Sequence, residues 1–276
     1  MTMHFDRVRR QTLATIGATL ASAAPGMPST SKIAATPGDM SALDAHLTGQ
    51  GPHRVRVPSY AIAAAERQRG KIEGTVPLRA SSTALLVIDM QNAFVGTESP
   101  IAVASAAAIV PNINELAGAM RRSGGMVVWV RMTRPKRIEE WSALYLAMPP
   151  AVRETVLEQL TPGSTGHQLY DRLQVHADDL VMDKTRFSAL IPGSSTLDHT
   201  LRKRGIDSLV ITGTLSNVCC ESTLRDAMML NYSVCFVSDG NAAPNDELHN
   251  AALVNVMSVF GEVIPTSALI KRMLPA

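Results

Sequence analysis

Five short runs dominated by apolar residues, at 84–88, 126–130, 179–182, 208–212 and 233–237, with a weaker sixth at 262–264, constrain this chain more than any other feature. Their apolar residues follow one another without the polar alternation of a half-solvated strand, so both faces of each segment need cover. That is the signature of strands inside a parallel sheet sandwiched between helices. The intervening segments supply the helices. Ser105 to Arg122 places Ile109, Ile113, Leu116 and Met120 on one face and stops at Gly124-Gly125. Ser194 to Arg204 ends at Gly205, Glu221 to Leu230 at Asn231, and Asp246 to Phe260 at Gly261, each a residue suited to a helix C-terminus. Strand–helix alternation of this kind predicts an α/β fold: a doubly wound, mostly parallel six-stranded sheet with helices on both faces.

At 276 residues, 46% apolar and 18% charged, the chain is long enough for one large domain with a substantial core. Residues 1–50 are rich in Ala, Ser, Thr, Gly and Pro and read as a leader. Residues 51–80 read as an arm with one helix from Tyr60 to Arg69, and 81–276 as the folded domain. Within the domain, 132–178 breaks the rhythm with Trp141, Tyr145, Pro149-Pro150, Gly163, Gly166 and Tyr170, and predicts a helical insertion near the active site. In the leader, Arg9-Arg10 precede a mildly apolar stretch from Leu13 to Ala21 and the small-residue pattern Ala21-Ser22-Ala23. Three readings stand open: a twin-arginine export signal, which would place the protein in the periplasm; a disordered extension of a cytoplasmic protein; or an upstream start codon, with Met27 or Met40 as the true start. The net charge of +2, spread without a basic stripe, argues against nucleic acid as a partner. The lack of an apolar run of about 18 residues argues against a spanning helix.

Open α/β sheets bind ligands outside the carboxyl ends of their strands. Asp89, Lys184 and Cys219 all fall at or just beyond such ends. A carboxylate can take the thiol proton while an ammonium favours thiolate and carboxylate alike, and a thiol at a helix start gains from the helix dipole. Each has a plainer reading: Asp89 as a cap, Lys184 as a solvated charge beside Asp183 and Arg186, Cys219 as a packed thiol. Three cysteines, two of them adjacent (Cys219, Cys220) and Cys235 within an apolar run, make no disulfide framework and no Cys-x-x-Cys metal motif. A dinucleotide site would need Gly-x-Gly-x-x-Gly after the first strand, where the chain has Asp89-Met90-Gln91-Asn92-Ala93-Phe94.

Three motifs in order, Leu85-Leu86-Val87-Ile88-Asp89-Met90-Gln91-Asn92-Ala93-Phe94, Lys184-Thr185-Arg186-Phe187-Ser188-Ala189 and Gly213-Thr214-Leu215-Ser216-Asn217-Val218-Cys219, resemble the isochorismatase-like cysteine hydrolase family over roughly residues 80–270. The resemblance implies a catalytic triad of Asp89, Lys184 and Cys219, with Cys219 and not Cys220 as nucleophile. It also implies a cis peptide between Thr214 and Leu215 and an oxyanion hole from the backbone N–H groups of Leu215 and Cys219. The implied chemistry is hydrolysis of a C–N bond in a small ureido, carbamoyl or linear amide substrate through a thioester, without cofactor. The nicotinamidase-like Asp-x-His metal pattern is missing from 132–165, and His167 and His176 lie off its spacing, so no catalytic metal is expected and His167 reads as a solvated or capping residue. The closest branch acts on ureidoacrylate, N-carbamoylsarcosine or biuret. By that resemblance Phe94 and Trp141 wall the pocket, Gln91, Asn92 or Arg186 bind a carboxylate or ureido group, and the protein is a homodimer or homotetramer. Vinyl-ether hydrolysis and a catalytically silent small-molecule binder are the alternatives.

Overall fold

A computed structural model describes residues 42–97 and 99–274. The leader motifs, Arg9-Arg10 and Ala21-Ser22-Ala23, lie outside the described residues. The first described element is α1 (Ala42–Thr48), followed by α2 (Ser59–Arg69), β1 (Thr83–Ile88), α3 (Asn92–Val95), α4 (Val110–Arg122) and β2 (Met126–Met132). The insertion carries α5 (Ser142–Tyr145) and α6 (Pro150–Gln159). Then come β3 (Leu180–Lys184), α7 (Leu197–Lys203), β4 (Ser208–Thr214), α8 (Glu221–Met229), β5 (Ser233–Ala242), α9 (Asp246–Asn255), β6 (Glu262–Ile264) and α10 (Thr266–Met273).

The six strands form one sheet in the order β3-β2-β1-β4-β5-β6, and every pairing is parallel. Strand pleating sends alternate residues to opposite faces, and both sets are apolar in β1. Ala84, Leu86 and Ile88 pack with α2, α7, α8 and α9 through residues such as Ala61, Leu197, Leu224 and Leu253. Leu85 and Val87 pack with α4 and α10 through Ile113, Leu116 and Leu269. No helix among the described residues is long and apolar enough to cross a membrane.

Two boundaries differ from the sequence reading. Residues 42–50, assigned to the leader, are folded: Leu47 sits in the same core cluster as the sheet, with Val55 and Val57 of the arm. Their anchors are distant in sequence, as with Gln50 N–H donating to Asp239 Oδ2 at 3.2 Å, so a local pattern carries no trace of them. Strand β5 runs on past its apolar stretch through Ser238, Asp239, Gly240 and Asn241. Its register against β4 shifts between Ile211 and Gly213, and the Asn241 amide donates to the Ile211 and Val237 carbonyls. Side-chain amides thus support a polar strand end that hydrophobicity does not mark.

Candidate active site

The sheet order reverses direction beside β1, whose neighbours are β2 on one side and β4 on the other. A crevice opens at such a switch point. Asp89 ends β1 in the left-handed region, with φ of +54°, its N–H bonded to Val130 O at 2.8 Å and its carbonyl accepting from Thr214 Oγ1 at 3.1 Å. Lys184, the last residue of β3, reaches across β2, and its Nζ lies 2.8 Å from Asp89 Oδ2. Both side chains are fully buried, so Lys184 is not the solvated charge that its neighbours in sequence suggest. The ammonium also donates to Arg186 O at 3.1 Å and touches Met132 Sδ at 3.4 Å. Asp89 Oδ1, by contrast, is buried without a hydrogen-bond partner.

Cys219 follows β4 in a wide turn of helix, Ser216–Cys220, that leads into α8. The Thr214–Leu215 peptide before it is cis. Gly213 has φ of +116°, and a Cβ there would lie 2.0 Å from Ile88 O, so only glycine lets β4 approach β1 this closely. Cys219 O accepts from Thr223 Oγ1 at 2.7 Å, and the same hydroxyl accepts from Ala189 N–H at 3.2 Å, tying the turn to the segment after Lys184. The Cys219 side chain interacts with both Asp89 and Lys184. Cys220 instead turns into the core, its Sγ 3.9 Å from Thr212 O, and Cys235 is fully buried in the opposite face of the sheet.

Protonation follows from burial and charge. Burial pushes the Asp89 carboxyl above its ordinary value, against the pull of the Lys184 ammonium and its hydrogen bonds. Burial works against the Lys184 charge, yet Asp89 and Cys219 together hold its pKa above the ordinary lysine value. Burial and then the Asp89 carboxylate push the Cys219 thiol up, with Lys184 opposing. At rest these shifts favour a protonated thiol at Cys219 and a charged ammonium at Lys184. A helix start and a nearby ammonium suggest a resting thiolate when the sequence is read alone; dehydration and the carboxylate outweigh them.

Sequence reasoning missed a buried support under this turn. Ser216 Oγ lies 2.8 Å from Nδ1 of His249 on α9. The His249 ring stacks on His53 of the arm at 4.4 Å between centroids, and His53 in turn bonds Asp246 Oδ1 at 2.9 Å and Ala243 N–H at 3.1 Å. Burial, with His53 adding to it, pushes the His249 pKa down to about 3, so the ring is neutral. Its only sequence trace is one histidine on a predicted helix.

Cys219 lines a cavity of about 350 Å³ between the strand ends and the insertion. Its walls come from Phe94 after β1, Met132 at the end of β2, Tyr145 and Met148 of the insertion, and Phe187 and Leu215 beside the strand-end cluster. A larger open groove, about 800 Å³, lies at the other ends of the strands near Gly125 and Met126, away from Cys219. Of the residues expected to shape the pocket, only Phe94 lines the cavity. Trp141 stands behind it, edge-to-face with Tyr145 and Phe187. The Arg186 guanidinium lies over Trp141, 5.3 Å from the ring centre, and donates to the Thr185 and Glu140 carbonyls; Asp183 pairs with Arg131 instead. Gln91 is fully buried, exchanging hydrogen bonds with the Met132 backbone and donating to His167 O, and Asn92 donates to Thr165 O. These two amides fasten the insertion to the strand ends. His167 is buried rather than solvated, with Nε2 2.6 Å from Thr133 Oγ1. Among the described residues no group of three or more His, Cys, Asp or Glu is placed to hold a metal ion.

Comparison with known proteins agrees with the fold. Residues 83–268 match the isochorismatase domain. The chain is 32% identical over 225 residues to a ureidoacrylate amidohydrolase RutB of Variovorax paradoxus (strain S110), covering 72% of this chain and 84% of that protein. A cysteine hydrolase from Pseudomonas syringae pv. phaseolicola 1448A superposes with a TM-score of 0.64 at 29% identity, covering 71% of this chain and 94% of that one. An N-carbamoylsarcosine amidase from Thermoplasma acidophilum superposes with a TM-score of 0.55 at 25% identity, covering 67% and 96%.

Proposed function

The chain belongs to the isochorismatase domain family, and from that membership we propose that it is a cysteine-dependent hydrolase of C–N bonds in small amide, carbamoyl or ureido compounds. The observation that carries this reading is the buried Lys184–Asp89 ion pair beside Cys219, whose side chain interacts with both. Similarity to RutB proteins and to the carbamoylsarcosine amidase supports the bond type.

The thiol proton passes to Asp89 as Cys219 sulfur attacks the substrate carbonyl carbon. Because the thiol and carboxyl pKa values are both raised by burial, this transfer is coupled to attack and does not precede it. The resulting oxyanion is received by the N–H groups of Leu215 and Cys219, each such donor contributing about 3 kcal/mol. The C–N bond breaks, the amine takes the proton from Asp89, and a thioester remains. Water then gives a proton to Asp89 as it attacks the thioester. The C–S bond breaks, sulfur regains the proton, and the acid leaves. Lys184 keeps its charge throughout and compensates Asp89 in a site where an unpaired carboxylate would cost several kcal/mol.

An ammonia-release assay over ureido acids, carbamoyl amino acids, biuret and simple amides tests the reading. Cys219→Ala is expected to abolish release, and mass spectrometry of a slow substrate is expected to find the acyl group on Cys219. Release that survives in Cys219→Ala would overturn the mechanism.

A further inference from the structure

The cavity beside Cys219 is built for a different body than the small polar acids named by the chain's relatives. Among the described residues that line it, none carries a charge. Phe94, Ile101, Leu144, Met148, Leu160 and Phe187 make most of the wall, and five of the cavity-lining residues (Phe94, Met132, Tyr145, Val156, Leu160) belong to one buried apolar cluster. Of the cations within electrostatic reach of the cavity-lining Tyr145, Arg186 has its guanidinium occupied by two backbone carbonyls and the Trp141 face, Lys184 is paired with Asp89, and Arg134 donates to Thr161 Oγ1; none of them lines the cavity. A substrate carboxylate entering this space would lose its hydration against walls that carry no charge.

One polar group in the wall is unmatched. Tyr145 is fully buried, lines the cavity, and its hydroxyl has no hydrogen-bond partner. Buried hydroxyls of folded proteins are almost always paired, and an orphan beside a cavity is explained by a ligand that supplies the missing partner. The hydroxyl lies within electrostatic reach of Arg186, Lys184 and Arg134, and it shares the cavity wall with Cys219.

Building on the hydrolase reading, we propose that the substrate is an uncharged amide or urea with an apolar body, whose polar end is hydrogen-bonded by the Tyr145 hydroxyl while the body fills the cavity. A volume of about 350 Å³ is at the small end of ligand pockets, which suits a compact aliphatic or single-ring group.

Size-matched pairs separate the alternatives: hexanamide against adipamic acid, and benzylurea against 3-ureidopropionate. Ammonia release by the full chain should favour the neutral member of each pair by at least about tenfold in kcat/KM. Binding to Cys219→Ala protein, read by thermal shift and calorimetry, should show the same order without turnover. Tyr145→Phe should lower kcat/KM for hexanamide by about tenfold, the loss of one hydrogen bond to substrate, while its Tm stays level or rises because a buried unpaired hydroxyl has gone. If the acids bind or react as well as the neutral compounds, or if none of the four binds, the apolar-substrate inference falls. If Tyr145→Phe changes Tm but not kcat/KM, the hydroxyl has no part in binding. Neutral amides that bind Cys219→Ala in the expected order, yet are never hydrolysed by the wild-type chain, would leave the pocket inference standing and sink the hydrolase reading.

Discussion

Asp89 has two opposed effects on Cys219. It is the proposed proton acceptor during attack, yet its negative charge is the second largest cause, after burial, of the raised thiol pKa. Asp89→Asn therefore separates the two. Removing the carboxylate lowers the thiol pKa, so alkylation of Cys219 by iodoacetamide at fixed neutral pH should become faster. Ammonia release should fall by about a thousandfold, because the base is gone. Parallel loss of both signals would show that Asp89 merely holds the site together. Asp89 raises the Cys220 pKa as well, but that thiol is fully buried and faces Thr212 and the core, so it should stay unalkylated in both proteins. The motif's register points to Cys219 rather than Cys220, whose thiol faces Thr212; the protonation state was not legible, because it depends on dehydration by groups far away in sequence.

At the level of elements, the turn Ser216–Cys220 is held from below by α9 and the arm through Ser216, His249 and His53. A nucleophile misplaced by about 1 Å can lose a hundredfold in rate. His249→Leu removes the bond to Ser216 and should lower kcat by about ten- to a hundredfold with KM little changed. His249→Asn, which can present a hydrogen-bonding group near the Nδ1 position, should recover most of that loss. Equal damage in both variants would assign His249 to packing alone. Leu47 of α1 and Val55 and Val57 of the arm sit in the core. At about 1.5–3 kcal/mol for each buried side chain, a chain beginning at residue 70 should lose most of its stability, seen as a lower denaturant midpoint or insoluble expression.

For the molecule as a whole, two buried groups make folding sensitive to acid. His249 has a folded pKa of about 3 against about 6.5 when unfolded, so between these values the unfolded state binds the extra proton. Stability should fall as pH drops from about 6.5 toward 3, by at most about 1.4 kcal/mol per pH unit. Asp179 shifts the opposite way from its burial. Burial would raise its pKa, but Arg121 at 2.6 Å, the His176 N–H at 2.9 Å and the Trp129 indole at 2.8 Å bring it below the ordinary value. Its contribution is present above about pH 4 and is lost as pH falls through the lower folded value. Chemical denaturation at pH 7, 5, 4 and 3 checks this: His249→Asn should flatten the decline between pH 6.5 and 4 and leave the further loss below pH 4 in place. The sheet, its helices and the strand-end residues Asp89, Lys184 and Cys219 were readable from the chain because each is encoded locally, by an unbroken apolar run or by a polar residue at its end. The folding of residues 42–50, the polar end of β5, the Ser216–His249–His53 support and the apolar lining of the cavity were not. Each depends on contacts between different elements, from 30 residues apart at Asn241–Ile211 to 189 at Gln50–Asp239, or on side chains gathered from several elements. Local pattern selects which elements form and where chemistry can sit; only their packing decides which groups are dry, which are charged and what shape of molecule fits between them.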